Sequence, residues 1–273
     1  MQPAEIEALR RDAEEAARRA GTVLRERFLG PRTVAYKGGI DLVTDADQAS
    51  EEVILAYLRG RHPDHGVLAE ESGAGGEGAA FRWIVDPLDG TTNYAHRVPH
   101  FCVSVAVEGP GGLLAGAILD PLRGELFSAG AGLGAWLDGV PLQASTADRL
   151  EQSLLCTGFP YDVRERPDAP LGLFNRIMRR AQGIRRMGAA ALDLAWVAAG
   201  RYDGFFEFGL KPWDVAAGAL LVREAGGVVS GIRGEPLQLD AGHILACGKG
   251  LEAALRTESA AFLDALGWRP RAR

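Results

Sequence analysis

Between residues 101 and 142 the sequence is a run of short apolar stretches separated by glycine-rich turns, and this pattern restricts the possible folds more than any other. Four of the stretches have the length and composition of β-strands, at residues 101–107, 113–119, 125–128 and 135–137. Short turns that contain glycine connect successive strands as hairpins, so the pattern predicts an antiparallel meander. Two earlier apolar runs, residues 66–69 and 81–85, predict further strands.

Helical patterns lie on both sides of these strands. Apolar residues recur three or four positions apart over residues 6–28 and again at about residues 44–59, which predicts two amphipathic helices. Later helices are predicted at residues 171–182, 189–199, 215–225 and 251–266. The glycine-rich segment 73–78 predicts a flexible surface loop. The pattern predicts a mixed protein with an α+β half at 1–147 and an α/β half at 148–273.

Charge and cysteine content argue against several classes of protein. The net charge of -6 disfavours a general nucleic-acid binder, which carries a basic surface. The three cysteines, Cys102, Cys156 and Cys247, form no CxxC pair and are expected to be reduced core residues. No uncharged run reaches the ~18 residues that a membrane helix needs. Acidic residues near the N-terminus interrupt any apolar run, so no signal peptide is expected. We therefore expect a cytoplasmic protein that binds neither nucleic acid nor membrane.

Acidic residues lie where the predicted strands end. Glu70 follows one strand, Asp86 closes the next, and Asp89 lies in the turn beyond it. Side chains at neighbouring strand ends can converge, and carboxylates are ligands that Mg²⁺ prefers. Asp214, at the start of a later helix, could join them. The glycine and threonine after Asp89 form a turn into a helix, whose amides could hold a phosphate group.

Each acidic residue also has a purely structural explanation. Asp47 lies three residues after Thr44, which is the spacing of a capping box. Asp214 could be the N-cap of its helix, and Asp89 with Gly90 could form an ordinary turn. The acidic residues after the first strand could be solvated. For each residue taken alone, the structural explanation is favoured over a role in catalysis. An active site is favoured only when these residues are considered together with one specific sequence string.

That string, DPLDGTTN at residues 86–93, resembles the first signature of the inositol monophosphatase family. WDVAAG at residues 213–218, continuing to EAGG at 224–227, resembles the family's C-terminal signature. Shorter matches in the same order are Lys37 with DLVT at 41–44 and Asp47, and EES at 70–72. The resemblance implies a layered α-β-α-β-α sugar-phosphatase fold, of the α+β class. It also implies phosphate monoester hydrolysis by metal-activated water, with two or three Mg²⁺ ions per active site.

The resemblance assigns roles to individual residues. The implied metal ligands are Glu70, Asp86, the Leu88 carbonyl oxygen, Asp89 and Asp214. Asp47 and Thr91 are implied to orient and deprotonate the attacking water, and Glu70 is implied to assist catalysis through a third, weaker metal. The residues implied to bind the substrate are Gly90, Thr91, Thr92, Ala190 and Glu207.

The resemblance predicts the type of reaction more narrowly than it predicts the substrate. Inositol 1-phosphate is expected, because TTNYAH at residues 91–96 together with Glu207 is most similar to the inositol type. Other substrates within the family are fructose 1,6-bisphosphate, histidinol phosphate, 3′-phosphoadenosine 5′-phosphate and NADP. A non-catalytic binding protein that keeps the fold is an alternative of another class. Two departures from the family pattern, the paired glycines 38–39 and Ala189, affect the third metal and one polar contact.

Partners are expected from the family alone. Members are commonly homodimers and sensitive to lithium, so both properties are expected here. The arginine pairs at residues 179–180 and 185–186 are expected on a solvated face or at a subunit contact, since the chain as a whole is acidic.

Overall fold

The computed structural model describes residues 1–30, 34–36 and 42–269 as alternating layers of helix and sheet. Its helices are α1 (Pro3–Phe28), α2 (Asp45–Arg61), α3 (Thr91–Ala95), α4 (Asp168–Met178), α5 (Ala190–Ala198), α6 (Pro212–Glu224) and α7 (Glu252–Ala265). A 3-10 turn, Leu150–Gln152, lies along the chain between the last strand of the first sheet and the first strand of the second. None of the helices in this part of the chain has the length and apolar character to cross a membrane.

An eight-stranded sheet confirms the predicted meander. Its spatial order is β10 (Val140–Pro141), β9 (Gly134–Leu137), β8 (Glu125–Gly130), β7 (Gly112–Asp120), β6 (Cys102–Gly109), β5 (Arg82–Asp89), β3 (Gly66–Ala69) and β4 (Gly73–Gly75). Only β3 and β5 run parallel to each other in this sheet. The strand β4 corrects the prediction of a loop at 73–78, because its three residues pair with the open edge of β3 despite a low β propensity.

A five-stranded sheet belongs to the second half of the chain. Its order is β12 (Gly183–Arg185), β11 (Leu154–Thr157), β13 (Gly204–Phe208), β15 (His243–Cys247) and β14 (Val228–Ser230). The strands β12, β11 and β13 are parallel, and β15 is antiparallel to both of its neighbours. The helix predicted over 171–182 ends at Met178, and the chain then enters β12. A two-stranded ribbon of β1 (Val34–Tyr36) and β2 (Leu42–Thr44) precedes α2.

Three hydrophobic cores fill the interfaces between five layers, and the central core spans both sides of the α5 and α6 layer. The helices α1 and α2 pack on one face of the large sheet, α5 and α6 lie between the two sheets, and α4 and α7 cover the outer face of the small sheet. Successive β5 residues alternate between cores, with Trp83 and Val85 under α1 and α2, and Ile84 against the central helices. All three cysteines are free and buried, as predicted. The central core combines residues from both predicted halves.

Candidate active site

An irregularity in β5 places two aspartates on one face of the large sheet. Asp86 lies opposite Ser104 and Asp89 lies opposite Cys102, so three residue steps on β5 match two on β6. A regular strand would direct residues three apart to opposite faces, whereas the bulge directs both to the same face. Pro87 suits the bulge because it has no N–H to contribute to the ladder. Its carbonyl oxygen instead accepts a hydrogen bond from Ser50 Oγ at 2.7 Å.

Asp86 is the most deeply buried carboxylate of the cluster. It is 1% exposed, and one of its oxygens accepts a hydrogen bond from the Leu88 amide at 3.0 Å. Burial raises its pKa well above the ordinary value, and the negative charges of Glu70, Asp89 and Asp214 raise it further. Four carboxylates from three parts of the fold (β5, the turn after β3 and the start of α6) therefore converge, and their repulsion favours an added positive charge.

The other two aspartates each accept a hydrogen bond from a backbone amide at the start of a helix. Asp89 Oδ2 accepts the Ala191 amide at 2.7 Å, in the first turn of α5. Asp214 is the third residue of α6, and its Oδ2 accepts the Lys211 amide at 2.6 Å. Burial raises the pKa of both carboxyls, and these amide hydrogen bonds offset part of the effect. Asp214 thus caps its helix and also faces the cluster.

Glu70 is the fourth carboxylate of the cluster and comes from the end of β3, the strand parallel to β5. It follows β3, and its amide donates to the Val85 carbonyl at 3.1 Å. It is only half-buried, yet its charge raises the pKa of both Asp86 and Asp214. The donors are all oxygens, which is the chemistry that Mg²⁺ requires, so the residues fit that ion. Among the described residues, no three Asp, Glu, His or Cys side chains are already closed around one point.

The turn after Asp89 presents backbone amides. Gly90 has φ 91°, which a residue with a side chain rarely adopts, and it precedes α3 directly. The Tyr94 amide donates to the Gly90 carbonyl at 3.0 Å, so the amides before it belong to the unpaired first turn. Thr91 is buried and Thr92 is exposed. The turn can therefore bind an anion beside the carboxylates.

Thr91 connects this turn to α2. Its hydroxyl oxygen lies 3.0 Å from Asp47 Oδ1 and 3.0 Å from the Leu88 carbonyl oxygen. The other Asp47 oxygen accepts hydrogen bonds from the Thr44 amide at 2.7 Å and hydroxyl at 2.6 Å. The capping box predicted for α2 is therefore present, and the same aspartate also faces Thr91.

The residues predicted to contact the substrate's alcohol lie beside the cluster. Glu207, in β13, is 8% exposed and packs directly over Gly158. Burial raises its pKa, and the nearby Asp193 carboxylate adds to the effect. Ala190 begins α5, and a Cβ on Gly90 would lie 3.2 Å from the Ala189 Cβ, so this strip packs against the turn.

Two residues that sequence reasoning missed hold the site together. Asn93 Nδ2 donates to the His100 carbonyl at 2.7 Å and to the Met187 carbonyl at 2.8 Å, joining α3 to the segment before α5. Glu51 accepts the amides of Glu71 and Ser72, each at 2.9 Å, and so fixes the turn beside Glu70. Glu51 is four residues after Asp47 in α2, and this same-face spacing could have revealed it. The loop 37–41 lies outside the described residues.

A separate cleft of about 900 Å³ opens in the second half of the chain, where Trp268 and His243 form part of its wall. None of the carboxylates above lines it. The converging carboxylates, rather than the volume of a cleft, identify the candidate active site.

Comparison with known proteins finds similar sequences and a similar fold along most of the chain. Residues 5–263 match the model of the inositol monophosphatase family. The chain is 48% identical to the Nus factor SuhB of Pseudomonas aeruginosa over 253 residues, 90% of this chain and 92% of that protein. It is 44% identical to the inositol-1-monophosphatase of Synechocystis sp. over 246 residues, 89% and 86% of the two chains. The solved inositol monophosphatase of Anabaena (Nostoc) sp. superposes with a TM-score of 0.86 at 41% identity, covering 97% of this chain and 98% of that one. The predicted layered fold is thereby confirmed.

Proposed function

The chain belongs to the inositol monophosphatase family, and from that premise we propose that it is a Mg²⁺-dependent phosphatase of small phosphate monoesters. Inositol 1-phosphate is the substrate we place first. Fructose 1,6-bisphosphate, histidinol phosphate, 3′-phosphoadenosine 5′-phosphate and NADP are the alternatives within the family.

The observation that carries the proposal is the convergence of Glu70, Asp86, Asp89 and Asp214. Burial raises the pKa of the three aspartates, and the charges of neighbouring carboxylates raise the pKa of Asp86 and Asp214 further. These side chains, with the Leu88 carbonyl oxygen, would hold two Mg²⁺ ions, and Glu70 would also hold a third. Bound Mg²⁺ would supply the positive charge that offsets the phosphate dianion and the departing alkoxide.

The chain's own groups would then position the reactants. The amides of Gly90, Thr91 and Thr92 would bind phosphate oxygens at the start of α3. The Thr91 hydroxyl, held against Asp47, would orient a water molecule and pass its proton to the carboxylate. Ala190 would line the pocket for the alcohol, and Glu207 would accept a hydrogen bond from one of its hydroxyls.

The test is phosphate release from inositol 1-phosphate with Mg²⁺, with EDTA, and with added lithium. We expect release only with Mg²⁺ and inhibition by lithium. Asp86→Asn and Asp214→Asn should each reduce turnover by orders of magnitude while the circular dichroism spectrum is unchanged. Phosphate release near the wild-type rate from either variant would contradict the proposed phosphatase function.

We further propose that the protein is a cytoplasmic homodimer that binds neither nucleic acid nor membrane. The mass measured by light scattering after size exclusion tests the dimer, and a monomeric mass at micromolar concentration contradicts it.

A second candidate function comes from the relatives called Nus factor SuhB, which include one from Escherichia coli at 45% identity over 86% of this chain. In this candidate the chain acts as a Nus factor by binding a partner rather than by hydrolysis. Replacement of the Escherichia coli protein by this chain, as wild type and as Asp214→Asn, separates the two functions. Equal rescue by both supports the binding function, whereas rescue by the wild type alone supports the phosphatase.

A further inference from the structure

Buried polar atoms without a hydrogen-bond partner lie together on the α5 side of the candidate active site. They are both ring nitrogens of His100, Oδ1 of Asp193 and Nε1 of Trp196, and none of them has a partner among the described residues. His100 is 2% exposed and Asp193 is 1% exposed. The rings of His100 and Trp196 meet edge to face, with their centroids 5.4 Å apart. Buried polar groups are nearly always hydrogen-bonded, so this concentration of unpartnered atoms requires an explanation.

The spacing of two of these atoms fits a bridging water molecule. His100 Nε2 and Asp193 Oδ1 are 3.6 Å apart, which is too long for a direct hydrogen bond. Burial raises the pKa of the Asp193 carboxyl and lowers the pKa of the His100 ring, so it favours the uncharged form of both. An uncharged carboxyl and an uncharged imidazole each offer a donor and an acceptor, and a buried water molecule needs such partners.

The two side chains come from the elements that hold Asp89. Asp193 lies near the start of α5, two residues after Ala191, whose amide donates to Asp89 Oδ2 at 2.7 Å. That amide belongs to the first turn of the helix and has no helical partner. His100 lies just before β6, the strand that pairs with Asp89 across the bulge. A link between His100 and Asp193 therefore fixes the start of α5 relative to the strands around Asp89.

Stability alone does not explain a polar pair at this position. Alanine and leucine make up most of the central core, to which α5 belongs. An apolar pair of the same shape would be about as stable, because it leaves no polar group unpartnered. Apolar contacts have no preferred direction, whereas hydrogen bonds do. The pair is therefore better explained by the orientation that it imposes than by the stability that it adds.

We propose that His100 and Asp193 are positioning residues for Asp89, and that a buried water molecule joins their side chains. The link holds the Ala191 amide against Asp89 and keeps this carboxylate directed towards the other three. Where it concerns Mg²⁺, the inference rests on the proposed function, since Asp89 is one of the proposed ligands. The hydrogen bond between Ala191 and Asp89 can be measured without any metal.

Variants that remove one or both side chains separate orientation from stability. His100→Phe and Asp193→Leu each leave a polar group unpartnered, so both should lower the urea midpoint, and the double variant should regain it. In EDTA we expect the Ala191 amide to exchange with solvent about tenfold faster in all three variants, the effect of about one hydrogen bond. Nuclear magnetic resonance measures this exchange. In calorimetric titration with Mg²⁺, the dissociation constant should rise about tenfold in all three, as for other residues that orient a metal ligand.

Two further variants serve as controls. Asp193→Asn keeps an oxygen and an N–H group beside His100, so amide exchange and Mg²⁺ affinity should stay within about twofold of the wild type. Leu263→Ala removes a buried side chain from the core on the outer face of the small sheet. It should lower the urea midpoint without a change in either of the other two properties.

Wild-type exchange of the Ala191 amide in any of the three variants overturns the proposal, whatever their Mg²⁺ affinity. A crystal structure of the wild type in which His100 and Asp193 bond directly, with no water between them, also overturns it. If the wild type binds no Mg²⁺ but the Ala191 amide exchanges faster in the variants, the inference stands and the phosphatase function fails. If Mg²⁺ binds and exchange is unchanged, the inference fails and the phosphatase function stands.

Discussion

Asp86 is 1% exposed and lies among three other carboxylates, an arrangement that opposes folding when all of them are ionised. An isolated core does not need such a residue at a strand end, because an apolar side chain would pack there at lower cost. The proposed Mg²⁺ ions would bind the folded state and would explain its presence. Stability and metal binding would then be linked at this residue.

The linkage predicts the dependence of stability on pH. The carboxyl titrates near pH 4 in the unfolded chain and at a higher pH in the folded chain, where burial raises its pKa. The stability from its protonated form is complete below about pH 4 and is lost as pH rises towards the folded value. In EDTA, Asp86→Asn should therefore be more stable than the wild type, by on the order of 1 kcal/mol at neutral pH, with a smaller difference near pH 5.

Urea unfolding of both proteins across this range measures the difference. Added Mg²⁺ should stabilise the wild type more than the variant. A variant that is less stable than the wild type in EDTA at every pH contradicts the argument.

A second prediction at the residue scale concerns Gly158, which packs against Glu207. A Cβ at this position would collide with both carboxylate oxygens of Glu207. Gly158→Ala should displace that carboxylate and raise KM for inositol 1-phosphate about tenfold, since one hydrogen bond to a charged group is lost. A simple aryl phosphate, which has no hydroxyl for Glu207, should be hydrolysed as before. Gly111→Ala is the control because nothing lies within 4 Å of its added Cβ.

At the scale of the element, α2 combines a structural and a proposed catalytic role in its first turn. Thr44 is the N-cap, and Asp47 accepts hydrogen bonds from the Thr44 amide and hydroxyl while it faces Thr91. One turn further, Glu51 holds the amides after Glu70. The start of this helix therefore orients two parts of the site at once, Asp47 beside Thr91 and the turn beside Glu70.

Thr44→Ala should accordingly affect both stability and rate. Loss of the cap should cost about 1 kcal/mol of unfolding free energy. Asp47 would also lose one of the groups that hold it, so we expect kcat to fall while KM changes little. Thr44→Ser keeps the hydroxyl and should retain both properties. A normal kcat in Thr44→Ala, with the stability loss present, would separate the cap from catalysis.

At the scale of the whole molecule, the site depends on elements from both halves of the chain. Asp86 and Asp89 lie on the large sheet, while Asp214 and the amide that holds Asp89 come from the central helices α6 and α5. Those helices share one core with the large sheet, and Gly116 of β7 lies close to α6, where an added Cβ would be 3.2 Å from the Ala217 Cβ. The layers are thus held together where the carboxylates meet.

Separate expression of residues 1–147 and 148–273 tests this dependence. Without α5 and α6 the first fragment would expose the inner face of the large sheet, so we expect it to bind a hydrophobic dye and to unfold without a cooperative transition. Mixing the two fragments should restore Mg²⁺-dependent phosphate release. A first fragment that unfolds cooperatively by itself would show that the shared core is dispensable.

Local patterns were sufficient for most elements and insufficient for a few. The helix at residues 6–28 and the strands of the meander follow from periodicity, because each buries one face along its whole length. The strands β4, β12 and β14, of three residues each, are too short to show a period. Each forms because a neighbouring strand presents unpaired backbone groups, which depends on residues distant in sequence.

The same division applies to the site. The sequence alone determined which residues have the chemistry, since DPLDGTTN supplies two carboxylates, a carbonyl and a turn within eight positions. Only the tertiary structure decided that Asp86 and Asp89 face the same way, through a bulge set by pairing with β6, and that α5 supplies the amide that holds Asp89. Side-chain identity is a local property of the chain. Direction and neighbourhood are not, because they arise from contacts that exist only when distant segments pack together.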